Sequence, residues 1–172
     1  LLDAKADPRL KDKDGNSAIH RAAIGGQVAA IGYLLGQGVS VNARGQNDYT
    51  PLHWAAQEGQ AEAARALLDA KADPRLKDKG GRTALLRAAQ GGLVDLMRDL
   101  QAPPYSLSLE EKATNGDSAI HQAAIGGQVA AIAYLLGQGF SVNARGQNDY
   151  TPLHWAASAG QGEAARALLD AK

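Results

Sequence analysis

Four histidines are the residues of this chain best suited to chemistry, and they recur in register as His20, His53, His121 and His154. His20 to His53 is a step of 33 residues, and so is His121 to His154. A zinc ion needs its ligand nitrogens about 2.0–2.1 Å away, all converging on one point. Equivalent side chains on successive packed helices point the same way, with axes about 8–10 Å apart, and do not converge. No metal site is expected. Ser17 stands three residues before His20, but a serine there is wanted as a helix cap, and no third group is evident to orient the imidazole as a general base. The carboxylates scatter at repeat spacing instead of pairing in a cleft. Neither a phosphate-cradling GxxxxGK[ST] loop nor a strand-borne GxGxxG occurs. With no cysteine, thiolate sites, disulfides and a cysteine nucleophile are excluded. The chain is expected to use no cofactor and to be no enzyme.

Composition narrows the partners. Lys plus Arg and Asp plus Glu each number 18, so the net charge is zero. That argues against a broad phosphate-neutralising surface and hence against nucleic acid. No apolar run approaches the roughly 18 residues of a membrane span, so no membrane insertion is expected. Alanine, leucine and glycine are abundant, and valine and isoleucine are too sparse and scattered for a large sheet, which predicts mostly helix.

What must position these residues is a repeated unit. Ser17-Ala18-Ile19-His20 returns as Thr50-Pro51-Leu52-His53, Thr83-Ala84-Leu85-Leu86, Ser118-Ala119-Ile120-His121 and Thr151-Pro152-Leu153-His154, at intervals of 33, 33, 35 and 33 residues. A pair of alanines follows two residues after the fourth position, then glycine, and then, in most copies, a Leu-Leu pair. A period near 33 with T-P-L-H-x-A resembles the ankyrin repeat. The resemblance covers the whole chain and implies an all-α solenoid of helix-turn-helix units joined by hairpin-like finger loops. It divides residues 1–172, as one domain, into the end of a preceding repeat (1–16), full repeats at 17–49, 50–82, 83–117 and 118–150, and a truncated repeat at 151–172. A longer repeat lies on top: residues 14–71 recur as 115–172 with eight differences, and 1–13 is identical to 67–79. The chain opens with Leu rather than Met and reads as a cut through a longer array, without polar capping repeats.

Within a unit, Ser or Thr caps the first helix, paired alanines allow close approach, and Gly26, Gly59, Gly92, Gly127 and Gly160 supply a positive φ between helices. Lys71 stands where Gly38 and Gly139 end the second helix. The unit at 83–117 lacks the histidine, has Gln101 in place of a leucine, carries Pro103-Pro104 and is two residues longer. The lowest local stability is therefore expected at 83–115 and at the two ends.

The ankyrin resemblance also implies where a partner sits. The residue after the histidine, the two after the alanine pair and the one before the Ser/Thr face the concave side. These positions give a stripe of Arg21, Tyr49, Trp54, Gln57, Glu58, Arg82, Arg87, Gln122, Tyr150 and Trp155. It holds both tryptophans of the chain, and Trp, Tyr and Arg are the residues enriched in binding hot spots. The leading reading is a protein-protein interaction module for a protein partner of unknown identity. The alternatives are an architectural spacer, favoured by the near-identical blocks, and, more remotely, an enzyme. Asn42 and Asn143, in Val-Asn-Ala, resemble the ankyrin asparagines modified by hydroxylases; the other reading is an asparagine that holds its turn. Uncovered leucines at Leu1-Leu2 and Leu168-Leu169 predict end-to-end self-association.

Overall fold

A computed structural model describes residues 6–171. The ten α-helices among them come in pairs, α1 (Ala18–Ile24) with α2 (Val28–Gly36), α3 (Pro51–Gln57) with α4 (Ala61–Asp69), α5 (Ala84–Gly91) with α6 (Val94–Gln101), α7 (Ala119–Ile125) with α8 (Val129–Gly137), and α9 (Pro152–Ser158) with α10 (Gly162–Asp170). There is no strand among the described residues; the fingers close by single antiparallel bridges, Lys11 with Ser17 and Lys112 with Ser118. The architecture is an all-α repeat solenoid.

The first helices form one row, α1, α3, α5, α7 and α9, and pack closely on one another; the second helices form a looser outer row. The alanine pairs explain the difference. Ala23, Ala55, Ala56, Ala88, Ala89, Ala123 and Ala124 are fully buried between first helices, where short side chains let backbones approach. Gly91 and Gly126 carry this furthest, since a Cβ at either would run into a carbonyl of the preceding repeat, that of Ala56 or that of Gln90. A row spaced more tightly than its partner bends the stack towards itself.

Each junction is tied by polar groups as well as by leucine and alanine. Gln60 Nε2 donates to the Ile24 carbonyl at 3.1 Å, and Gln161 Nε2 does the same to Ile125 at 3.4 Å. A glutamine opening the second helix thus satisfies an orphan carbonyl at the end of the first helix one repeat back. Between fingers, Arg44 donates to the Lys77 carbonyl, Arg75 to the Tyr105 carbonyl, and the Asp73 N–H to Asn42 Oδ1. Asn42 therefore holds the neighbouring finger through its side chain.

Gly26, Gly59, Gly92, Gly127 and Gly160 all have φ between +67° and +77°. Lys71 adopts φ +69°, the left-handed conformation that Gly38 and Gly139 adopt at the same place.

The third repeat is well packed in spite of its irregular residues. Leu85, Leu86, Ala88, Ala89, Met97 and Leu100 are fully buried, because this pair lies mid-stack with neighbours on both sides. Gln101 is accommodated by donating to the Met97 carbonyl at 2.8 Å and lying 3.0 Å from the Tyr134 hydroxyl. Where Leu86 replaces the histidine, the Thr83 hydroxyl donates instead to Glu111 of the longer finger at 2.9 Å. The irregularity is confined to the loop after α6.

Candidate functional site

The histidines are building parts. In α1 the Ser17 N–H donates to His20 Nδ1 at 3.1 Å, and His20 Nε2 donates to the Ala43 carbonyl at 2.9 Å. His53 spans Thr50 N–H and the Arg82 carbonyl at 3.1 and 3.0 Å, and His121 spans Ser118 N–H and the Ala144 carbonyl at 3.2 and 3.1 Å. Accepting a backbone N–H at Nδ1 fixes the neutral Nε2–H tautomer. Each of these three rings thus caps its own helix and clasps the next finger with both its nitrogens; His154 accepts from the Thr151 N–H at Nδ1 in the same way. Burial lowers the pKa of all three, that of His53 to about 4.

The stripe splits by burial. On α3, the Trp54 ring is half-buried and packs against Tyr49 with centroids 4.6 Å apart. Its indole Nε1 is buried without a hydrogen-bond partner. Beside it, Gln57 and Arg82 are half-buried and Glu58 is exposed. On α9, Trp155 is half-buried against an exposed Tyr150 at 5.4 Å. Trp155 Nε1 donates to Asp117 Oδ1 at 3.3 Å. Arg21 is exposed on α1 and bound by Asp12 and Asp14 at 2.6 and 2.7 Å.

Three expected members of the stripe are not surface residues. Tyr49, Arg87 and Gln122 are 8%, 2% and 1% exposed. Their side chains project into the junction between repeats instead of out of it. Arg87 lies over the Tyr49 ring, 4.4 Å from its centroid, and donates from Nη1 to Gln57 and Gln90 and from Nε and Nη2 to Asp78. Burial pushes the Asp78 carboxyl up, but the Arg82 N–H and the Arg87 guanidinium outweigh it and hold its pKa below the usual value. These residues set the shape of the stripe without offering surface of their own.

The acids of this network, Asp12, Asp14 and Asp78, have no place in the stripe read from the repeat register. The signal that finds them is a coupled difference between repeats. Arg21 has Asp12 and Asp14, Arg87 has Asp78, and Gln122, at the same position, has Ala113 and Asn115. Where the guanidinium goes, the carboxylates that would be left unpaired go too. Both amide atoms of Gln122 are left buried without partners.

Leu1-Leu2 lie outside the described residues. Leu168 is buried, and Leu169 is 69% exposed on α10. No helix among the described residues is long and apolar enough to cross a membrane.

Comparison with known proteins agrees with this geometry. The family model for ankyrin repeats (three copies) matches residues 1–78 and 85–172. The chain is 30% identical over 173 aligned positions to Palmitoyltransferase AKR1 of Lachancea kluyveri, covering 99% of this chain and 23% of the relative. It is 28% identical to the transient receptor potential cation channel subfamily A member 1 homolog of Caenorhabditis elegans, covering 92% of this chain and 13% of that protein. With the human subfamily A member 1 channel the identity is 32%, over 73% of this chain and 11% of the channel. The chain thus spans less than a quarter of the length of each of these relatives. Repeat period, helix pairing, glycine conformations and the family match agree, and the chain belongs to the ankyrin repeat family.

Proposed function

We propose that this chain is a non-catalytic protein-binding module whose partner rests on the first-helix side of the stack. Ankyrin repeats generally mediate protein-protein interaction, and the inward bend gives that side a shallow groove. The contact surface in this reading is Trp54, Gln57, Glu58 and Arg82 in the middle, Trp155 further along, and Arg21 and Tyr150 at the two ends. Tyr49, Arg87 and Gln122 act from beneath, as positioning residues.

The observation that carries the reading is Trp54. The repeat's own core does not need it: alanine and leucine fill that core, and Arg21, Arg87 and Gln122 stand at the same position in other repeats. A large ring at the edge of the core, partly exposed and packed on Tyr49, is an aromatic anchor of the kind that dominates interfaces. The relatives point the same way. Their names state two unrelated activities, palmitoyl transfer and cation conduction. A stretch shared by both is better suited to holding a partner than to either activity. The second reading, an architectural spacer, draws on the near-identity of residues 14–71 and 115–172, since duplication can extend an array without a new ligand.

A photo-crosslinking residue tests the module. Placed at Glu58 beside Trp54, it should give a discrete adduct in an extract of the source cells. At Ala133, exposed on α8 in the outer row, it should not. No adduct at Glu58, or the same adduct at both positions, would contradict the binding stripe.

A further inference from the structure

One groove recurs between neighbouring fingers and changes charge from copy to copy. Between the finger that precedes α1 and the finger that follows α2 lies a groove of about 380 Å³, walled by Arg9, Lys11, Val39, Ser40, Ala43 and Arg44. Between the finger that precedes α7 and the finger that follows α8 lies a groove of about 290 Å³. Its walls match the first set position for position, 101 residues later. That second groove lies inside the stack, with repeats on both sides, so the groove belongs to the repeat itself. The charges differ. The first copy carries three cations and no acid, whereas the second has Glu110 in place of Arg9 beside Lys112 and Arg145.

The acids nearest in sequence are engaged elsewhere. Asp7 accepts from the Arg9 backbone N–H at 2.9 Å, and Asp12 holds Arg21 on the stripe side of the finger. Arg9 Nη2 donates to the Gly38 carbonyl at 3.3 Å, and Arg44 Nη1 donates to the carbonyls of Asp48 and Lys77. These neutral acceptors position both guanidiniums without cancelling their charge. Charges of one sign along walls partly made by Val39 and Ala43 reinforce one another's field.

One junction shows what such a place accepts. Residues 72–79 repeat 6–13, so Arg75 and Lys77 stand where Arg9 and Lys11 do. In the next finger Glu111 stands at the position of Ala43, and its Oε2 accepts at 2.9 Å from the hydroxyl of Thr83, the counterpart of Ser17. The chain thus supplies a carboxylate of its own there, and an acid in the wall at Glu110, but neither in the first groove.

We propose that the groove beside Arg9 seats a carboxylate side chain from an acidic segment of a partner protein, as Glu111 is seated against Thr83. No residue of the Trp54 stripe lines it, so this site is independent of that stripe.

Titration of the 172-residue chain with an acetylated hexaglutamate amide, followed by backbone amide NMR shifts, tests the site. Inorganic phosphate at the same total anionic charge is the comparison probe. Hexaglutamate should shift Gly38, Ser40 and Arg44 and leave Gly139, Ser141 and Arg145 nearly unmoved. Arg9→Glu, which copies Glu110, should weaken binding about tenfold or more, and added salt should weaken it as well. Glu110→Arg should give the second groove the response of the first. Both residues are exposed, and circular dichroism checks that each variant is folded. No shift at Gly38 and Ser40, equal shifts in the two grooves, or binding that Arg9→Glu leaves unchanged overturns the proposal. So does a second groove that stays silent after Glu110→Arg. Phosphate that moves the same amides as strongly as hexaglutamate also overturns it, because the groove would then take any small anion.

Discussion

Arg87 reaches back one repeat to cover the ring of Tyr49 at 4.4 Å while its guanidinium is bound by Asp78 of the finger between them. The pair is almost fully buried. Removing one partner of a buried ion pair leaves an uncompensated charge and costs about 3–5 kcal/mol, whereas replacing both with neutral groups costs much less. Asp78→Ala is therefore expected to lower stability by about 3 kcal/mol in urea denaturation. Asp78→Ala with Arg87→Gln copies the Ala113 and Gln122 pairing already present in the fourth repeat and should recover a large part of that loss. A double variant as unstable as the sum of the singles would contradict the coupling.

The buried histidines make stability depend on pH. Burial holds the pKa of His53 at about 4, and those of His20 and His121 below their usual value. Unfolded, each ring titrates near 6.5. The unfolded chain thus takes up protons that the folded chain refuses. This contribution to stability is present in full above about pH 6.5 and lost as pH falls from there towards 4, at roughly 1.4 kcal/mol per pH unit for His53. Urea midpoints should be lower at about pH 5 than at about pH 7.5. Equal or higher midpoints at the lower pH would contradict the tautomer and burial described.

Lys71 holds a left-handed backbone that its Cβ disfavours. That conformation costs roughly 1–2 kcal/mol for a side-chain-bearing residue, partly offset because glycine loses more entropy on folding. Lys71→Gly should raise stability by about 0.5–1 kcal/mol, seen as an increase in Tm of about 1–4 °C. A lower Tm would mean that the lysine side chain contributes more than its conformation costs.

Hydrogen exchange should be slowest in α5 and α7, where first helices are covered on both sides, and faster in α1 and α10. Protection in α1 or α10 equal to that of α5 would contradict the burial pattern.

Much of the fold was legible from residue types. Each Ser or Thr cap, each glycine with positive φ and each alanine pair answers a local steric or hydrogen-bonding need, and the 33-residue period set their order. Two things were not legible. The packing of the third repeat was one: Leu85 and Leu86 are fully buried because repeats cover both their sides, a consequence of position within the stack that residue composition does not carry. The stripe was read from register, and register does not say how long a side chain is relative to the gap it enters. Arg87 and Gln122 share a register with Trp54 and Trp155, yet both lie within the junction. Comparing Asp12, Asp78 and Ala113 across repeats was the available clue to that, since a finger acid that comes and goes with an arginine marks a pair.

Partner binding by Trp54→Ala and Trp155→Ala variants tests the central claim most directly. The proteins captured from source-cell extract by the wild-type chain would be compared with those captured by each variant, with circular dichroism confirming that all are folded. A truncated aromatic anchor commonly costs about 2 kcal/mol or more, roughly thirtyfold in affinity. The account predicts that a partner retained by the wild type is lost or sharply reduced with Trp54→Ala. A captured set unchanged by either substitution, with folding intact, would contradict the stripe and leave the array as a spacer.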